Sequence, residues 1–390
     1  VVIEKKDVEE FMAYCREENI EAVHVADVTD TARMRMYNKG KLVVDLSREF
    51  IDSAGAKHYA EATVGAVEEC NPFERKVEGC TVEERLKEKI YNNLQDPNVT
   101  SQKGLIEMFD SSIGRSTVLM PFGGKTQRTE TQVSVQKLPV DGYTDTASIM
   151  AYGYNPNLAC WSPYHGAAYA VVEAAAKVVA AGARYDKMRY SYQEYFERMT
   201  KEPTSWGKPL SALLGALKMQ VELGLPSIGG KDSMSGTFQD INVPPMLMAF
   251  GITTVDARTV ISPEFKRGGH KLYVIRHTPE ANYMPSTEQL KKNFTFVSDK
   301  IMTGDIVAAY AVGFGGVAEA VAKMSFGNRV GAALECDEQM LYNYSYGSIV
   351  VEARRTLNFT AAELIGKTVD EEAIFVNGTR LPLDELLEAN

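Results

Sequence analysis

The sequence predicts α+β domains arranged in series, and three observations carry this. Short stretches rich in β-branched residues ("STVLMPF", "TQVSVQKLPV", "TASIMAYGY") precede long helical patterns. A second region of mixed strand and helix patterns starts after Gly268-Gly269. A short word also recurs. "NKGKLVVDLSREF" near residue 45 resembles "NGTRLPLDELLEA" near residue 384, with Asn38 matching Asn377, Leu42 Leu381 and Asp45 Asp384. A match this short also arises by chance. If it is genuine, the chain holds the tail of one module and then a whole second copy.

The elements follow in order. "DVEEFMAYCREENI" sets Val8, Phe11, Met12 and Cys15 on one helical stripe. "EAVHVADV" reads as a strand, and "ARMRMYNKGKLVVDL" as two strands around an Asn38-Lys39-Gly40 turn. "SREFIDSAG" reads as a short helix capped by Ser47. Residues 66–110 are charged and helical in pattern, a connector. "HGAAYAVVEAAAKVVAAGA" predicts a long helix whose small face (Ala168, Val172, Ala175, Val179) lets a sheet approach. "PLSALLGALKMQVELG" predicts another, with Leu210, Leu213, Leu214, Leu217 and Val221 on one side and Gly224 as its stop. "PPMLMAFGITTV", "HKLYVIRH" and "SIVVEA" read as strands, and Gly316 to Met324 as a helix.

Composition bounds the function. A chain of 390 residues, 45% hydrophobic, suffices for two or three domains. No run approaches the roughly 18 apolar residues of a membrane helix. The formal charge of -10 argues against a duplex nucleic-acid partner, itself a polyanion, but not against a small anion. Cys15, Cys70, Cys80, Cys160 and Cys336 are scattered and odd in number, which indicates reduced thiols and a cytoplasmic location. The five histidines show no metal-ligand spacing. The opening "VVIEKKDVEEF" has neither Met nor a signal peptide, so the chain is expected to begin inside a longer protein.

"GLPSIGGKDSMSG" holds the strongest local signal. It is too short for a Walker A loop. It nevertheless combines Gly229 and Gly230, which let backbone N–H groups approach phosphate, with the Lys231 cation and the Ser233 hydroxyl. The alternative is a plain turn with a solvated lysine. Glu173 and Lys177 stand one helical turn apart, the spacing of a structural ion pair. Glu173 becomes a metal ligand only if other carboxylates converge on it. Gly313, Gly315 and Gly316 open a helix whose N-terminus could take phosphate, a weak signal by itself. Cys160 near His165 suggests a thiol nucleophile by proximity alone.

"GGKDSMSGTF", "FGGKTQRTETQVSVQKLP" and "YSYQEYFERM" resemble phosphoribosylformylglycinamidine synthase of purine biosynthesis, in its single-chain form. That form carries two aminoimidazole-ribonucleotide-synthetase-like halves and a glutaminase. The resemblance covers essentially the whole chain. It implies that residues 1–65 are the tail of the first half's C-terminal domain. It implies an N-terminal, ATP-binding-like domain with its connector at 66–255 and a C-terminal domain at 256–390. It further implies glutamine-dependent amidination of formylglycinamide ribonucleotide, with ATP and magnesium. The first half and the glutaminase would be the partners, in a cytoplasmic enzyme. The family's His-Asn-His-Pro word stands here as "YGYNP", so Gly153 and Asn155 replace its histidines and no catalytic residue is implied. Of an auxiliary magnesium site in relatives only Glu173 matches; Lys137, Lys177 and Val312 fall at the other positions. The ammonium groups would take over as counter-charges. Gly230 would touch ATP and Ser233 the substrate, at a site completed by the other half. A non-catalytic scaffold half is the alternative reading.

Overall fold

The stripe of Val8, Phe11, Met12 and Cys15 folds as helix α1 (Val8–Glu17) in the computed structural model, which describes residues 1–53, 59–75, 85–112 and 115–390. Residues 1–60 form one unit and 61–390 another. In the smaller unit β1 (Arg33–Asn38) and β2 (Lys41–Ser47) pair antiparallel. Their turn is Lys39-Gly40, with φ of 49° and 76°. Two positive φ values define the turn whose twist suits a hairpin. Ser47 caps α2 (Arg48–Asp52), its hydroxyl accepting from the Phe50 N–H at 3.2 Å. "EAVHVADV" is not a strand: Val23, Val25 and Val28 are exposed and no ladder forms over residues 21–28. Alternation supplies a face, but a strand also needs a neighbour for its N–H and C=O groups.

The larger unit opens with α3 (Arg85–Gln95), α4 (Lys103–Ile106) and a small β3 (Phe122–Gly123)–β4 (Thr129–Glu130) pair. The predicted helical stretch before residue 85 falls partly on 81–84, outside the described residues. Next come β5 (Ser134–Lys137), β6 (Thr146–Gly153), α5 (Pro156–Trp161), α6 (Pro163–Ala180), β7 (Arg189–Tyr195), α7 (Pro203–Leu223) and β8 (Ser227–Lys231). The short β9 (Thr237–Phe238) and β10 (Ile241–Asn242) precede β11 (Met246–Asp256). The sheet order is β5-β6-β11-β7-β8, with only β7 and β8 parallel.

The rest of the chain supplies β12 (Lys271–Ile275), α8 (Thr287–Met302), β13 (Ile306–Ala311), α9 (Gly316–Phe326), β14 (Gly331–Leu334), α10 (Glu338–Tyr342), β15 (Ile349–Ala353), β16 (Ala362–Val369), β17 (Ala373–Val376), β18 (Thr379–Pro382) and α11 (Leu383–Ala389). These strands form a second sheet, β13-β15-β12-β16-β14-β17-β18. The β17–β18 hairpin turns on Asn377-Gly378, with φ of 49° and 88°, and runs straight into α11. The β1–β2 hairpin does the same into α2. The repeated words therefore adopt one local motif, but the turns align Lys39 with Asn377 and Gly40 with Gly378, one residue from the sequence match.

Burial explains the composition of each element. Helix α6 is apolar almost all round and is buried almost all round. Its Ala168, Val172, Ala175 and Val179 join a core that takes in both sheets and α8. Strands β13 and β15 are buried along their whole length, because α9 covers their second face. Helix α7 reverses an expectation. It ends at Gly224 with φ 72°, as the sequence indicates. It buries Gly207, Ser211, Ala212, Gly215, Ala216 and Met219, however, and leaves Leu210, Leu213, Leu214, Leu217 and Val221 exposed. Side chains at Gly215 and Gly207 would collide with the carbonyls of Tyr164 and Thr63. Close approach, not hydrophobicity, chooses the inward face. Residues 61–65, given by the resemblance to the preceding domain, pack in the larger unit, where the Thr63 N–H donates to the Pro203 carbonyl at 2.9 Å.

Candidate functional site

Gly229, Gly230 and Lys231 form the exposed end of β8, the outermost strand of its sheet. The expected free turn is therefore an edge strand, with Asp232 to Ser235 continuing past its end. An edge strand presents a row of backbone groups with no partner strand. Gly229 has φ 142° and open space around it. Gly230 lacks a positive φ; a side chain there would strike the Tyr192 carbonyl of β7. Its smallness serves strand packing first. Ser233 is half-buried, its carbonyl accepting from the Phe196 N–H at 2.9 Å and its hydroxyl 2.9 Å from that of Ser235. Lys231 is exposed. The stretch thus gathers glycine backbone, a cation and two hydroxyls at one open border, donors suited to an anion.

Glu173 lies elsewhere, in a cleft of about 530 Å³. Its carboxylate meets Lys177 at 2.8 Å and accepts from the Tyr154 N–H at 2.9 Å. Burial pushes the Glu173 carboxyl up, against the pull of Lys177. Burial alone would lower Lys177; the charge of Glu173 outweighs it and holds the ammonium above its ordinary value. The Lys177 ammonium also donates to the Tyr152 carbonyl at 2.8 Å and lies 4.6 Å from the centre of the Tyr152 ring.

Lys137 is not in this cleft. It sits at the opposite end of β6, beside Ala147, bonded to the Tyr143 hydroxyl at 2.9 Å and to Asp145 at 3.3 Å. The second lysine is Lys323 of α9, which the sequence reading missed. Lys323 is 3% exposed and contacts Glu130 at 2.6 Å, Glu319 at 3.1 Å and the Val99 carbonyl at 2.6 Å. Sequence carried its signal: "EAVAK" at 319–323 copies the spacing of "EAAAK" at 173–177. Val312, at the remaining position, is buried and offers no ligand.

Other carboxylates, Glu130 and Glu319, do converge near Glu173, but Lys177 and Lys323 occupy the space between them as ion-pair partners. Among the described residues no group of three or more His, Cys, Asp or Glu is arranged to hold a metal. Magnesium does not fit this donor set. Nor is the α9 N-terminus free for phosphate, since Glu319 accepts from the Gly315 N–H at 2.7 Å.

Gly153 and Asn155 have structural work. A side chain at Gly153 would collide with the Ala170 carbonyl. Asn155 caps α5, accepting from the N–H groups of Asn157 and Leu158, and donates to the Tyr346 hydroxyl at 2.8 Å. Burial raises the Cys160 thiol, the opposite of a nucleophile's activation. The His165 ring engages the Ser162 hydroxyl at 2.8 Å and the Asn282 carbonyl at 3.0 Å. No helix among the described residues is long and apolar enough to cross a membrane.

Two mixed sheets with α6 between them define an α+β protein of the aminoimidazole-ribonucleotide-synthetase-like class. No family model matches the chain. The chain is similar to phosphoribosylformylglycinamidine synthase subunit PurL of Nocardioides sp., 23% identical with all of this chain and 54% of the relative covered. PurL of Staphylococcus haemolyticus is 23% identical over 99% of this chain and 53% of its own length. The chain thus spans about half the length of these curated relatives. Among solved structures, Thermotoga maritima PurL complexed with ATP superposes with a TM-score of 0.63 at 17% identity, covering 94% of this chain and 54% of that one. The ADP complex gives 0.64, covering 95% and 54%. These likenesses establish the fold.

Proposed function

We propose that this chain is part of a phosphoribosylformylglycinamidine synthase of the single-chain form, contributing to its ATP and substrate site without completing it. One observation carries the reading. The Gly229-Gly230-Lys231 backbone and Ser233 stand at an open sheet border, while Gly153 and Asn155 serve only the local fold. In the full enzyme, ATP would activate the amide oxygen of formylglycinamide ribonucleotide and ammonia from a glutaminase would replace the phosphate. Such chemistry needs positioned donors and cations around phosphate rather than a protein nucleophile. Here Gly229, Gly230 and Lys231 would hold phosphate, and Ser233 would donate to substrate. A preceding related half would supply the opposite wall. Residues 1–65 would be that half's tail, 66–255 and 256–390 two domains of the second half; the recurring hairpin-helix motif supports this.

Ser233→Ala in the full-length enzyme tests the reading. The Ser233 hydroxyl contacts only Ser235 among the described residues, so its loss leaves the fold intact. Substrate use should weaken; unchanged kinetics would remove Ser233 from the site. The scaffold reading is favoured by the cleft's lysines, which are committed to its own carboxylates. Calorimetric titration of ATP-Mg into the 390-residue chain separates the two: a nucleotide held in the cleft would contradict the scaffold role.

A further inference from the structure

One buried face of β7 carries two polar groups that no described residue satisfies. Tyr190, Tyr192 and Glu194 alternate inward along the strand. Tyr192 is 9% exposed and Glu194 8%. The Tyr190 hydroxyl donates to the Val171 carbonyl at 2.9 Å. The Tyr192 hydroxyl and Glu194 Oε1 are buried without a hydrogen-bond partner among the described residues.

The strand register explains what faces Glu194. Gln193 pairs with Lys231 across the β7–β8 ladder. The next position therefore sets Asp232 beside Glu194, at the roughly 4.8 Å spacing of neighbouring strands. The register holds past this point, where the Phe196 N–H donates to the Ser233 carbonyl at 2.9 Å. Directly opposed like charges destabilise a strand pair, and a buried carboxylate with a free oxygen is costlier still. Neither carboxylate has an ion-pair partner among the described residues. Lys231 is no remedy, because alternation turns it to the other face.

We infer that Glu194 and Asp232 form a divalent-cation site at the junction of β7 and β8. All its donors are oxygens, which favours magnesium, manganese or calcium over softer metals. Tyr192, whose hydroxyl is likewise unpartnered among the described residues, stands two residues before Glu194 on the same face. Two carboxylates leave most of the coordination sphere open. Magnesium is commonly held in this way, by one or two carboxylates with water or phosphate oxygens completing the shell. The site goes beyond the phosphate-binding reading and stands without it.

The test titrates the 390-residue chain with Mn²⁺ alone, without nucleotide, following free Mn²⁺ by electron paramagnetic resonance. Tb³⁺ luminescence excited through tyrosine is the second readout, since Tyr192 stands next to Glu194 on the same face of β7. One site should appear. Glu194→Gln and Asp232→Asn should each weaken it by about tenfold or more, a loss that even an outer-shell partner can cause. The exposed Asp240→Asn should leave it unchanged. Circular dichroism confirms that each variant folds, and Asp232 is exposed, so Asp232→Asn keeps the test open if Glu194→Gln does not fold. The absence of any site, or one that neither substitution weakens, overturns the inference. Because the probe is the metal alone, failure of the nucleotide reading shows separately, in the Ser233→Ala assay.

Discussion

Replacing Lys323 by Met should be among the most damaging single changes in the larger unit. The side chain is 3% exposed, and its ammonium holds Glu130 at 2.6 Å, Glu319 at 3.1 Å and the Val99 carbonyl at 2.6 Å. Methionine keeps most of the volume and removes the charge. Two carboxylates then lose their counter-ion, and Glu130 Oε1 already lacks a hydrogen-bond partner. Removing one partner of a buried pair costs about 3–5 kcal/mol, most of it the penalty of the stranded charge. At roughly 2–4 °C per kcal/mol, the melting temperature should fall by about 10 °C. The assay is thermal unfolding of the single variant, of Glu319→Gln and of the double variant. The double variant should recover part of the loss, with a coupling of roughly 1–3 kcal/mol, because one stranded carboxylate becomes a neutral amide. Added magnesium should raise the melting temperature of Lys323→Met by more than that of the wild type, because the variant alone leaves these carboxylates without their counter-ion. A single-variant cost below about 1 kcal/mol, the value of an exposed pair, would refute the reasoning and make these ions solvated.

Further outcomes follow from the same geometry. The His277 ring is buried, its Nδ1 on the Tyr346 carbonyl at 2.8 Å and its Nε2 accepting from the Ser286 N–H at 3.0 Å, and burial lowers its pKa to about 4. The folded state thus binds its proton later than the unfolded chain, whose histidine titrates near 6.5. The contribution is complete above pH 6.5 and is lost as pH falls toward 4, about 3 kcal/mol in all, so pH-dependent melting of wild type and His277→Gln should diverge across that window. Gly230→Ala should destabilise the chain by roughly 1–3 kcal/mol in denaturant melts through its clash with the Tyr192 carbonyl, whether or not a ligand is present. Leu213→Lys with Leu217→Lys should change the melting temperature little and raise solubility, since both leucines are exposed.

Periodicity made much of this architecture legible. The long helices, the central strands and the Ser47 cap follow from the sequence pattern. What failed has a common cause: packing partners are not written in local pattern. The leucines of α7 outweigh its glycines on any hydropathy count, yet Gly207 and Gly215 let neighbouring backbone come close and so turn that face inward. "EAVHVADV" alternates but finds no ladder. Lys137 was placed by alignment, and the antiparallel β5–β6 pair carries it away from Gly153, where Glu173 lies. Lys323 could have been found, because Glu319 and Lys323 repeat the i,i+4 pair of Glu173 and Lys177 in a second apolar helix.

The two lysines also bear on the proposed nucleotide site. Glu130, Glu173 and Glu319 bring three negative charges to the cleft, and Lys177 and Lys323 bring two positive ones. The one excess negative charge repels a polyanion, and the ammonium groups are already committed to carboxylates. Freeing one for phosphate would strand a buried glutamate at about 3–5 kcal/mol, more than a single new charge-assisted hydrogen bond returns at roughly 1.5–3 kcal/mol. At the β8 border Lys231 is exposed and the glycine backbone faces outward, and the two carboxylates there, Glu194 and Asp232, would be offset by the proposed cation. On the proposed reading phosphate recognition would fall to the edge strand, while the ion pairs of the cleft between α6 and α9 oppose a phosphate there.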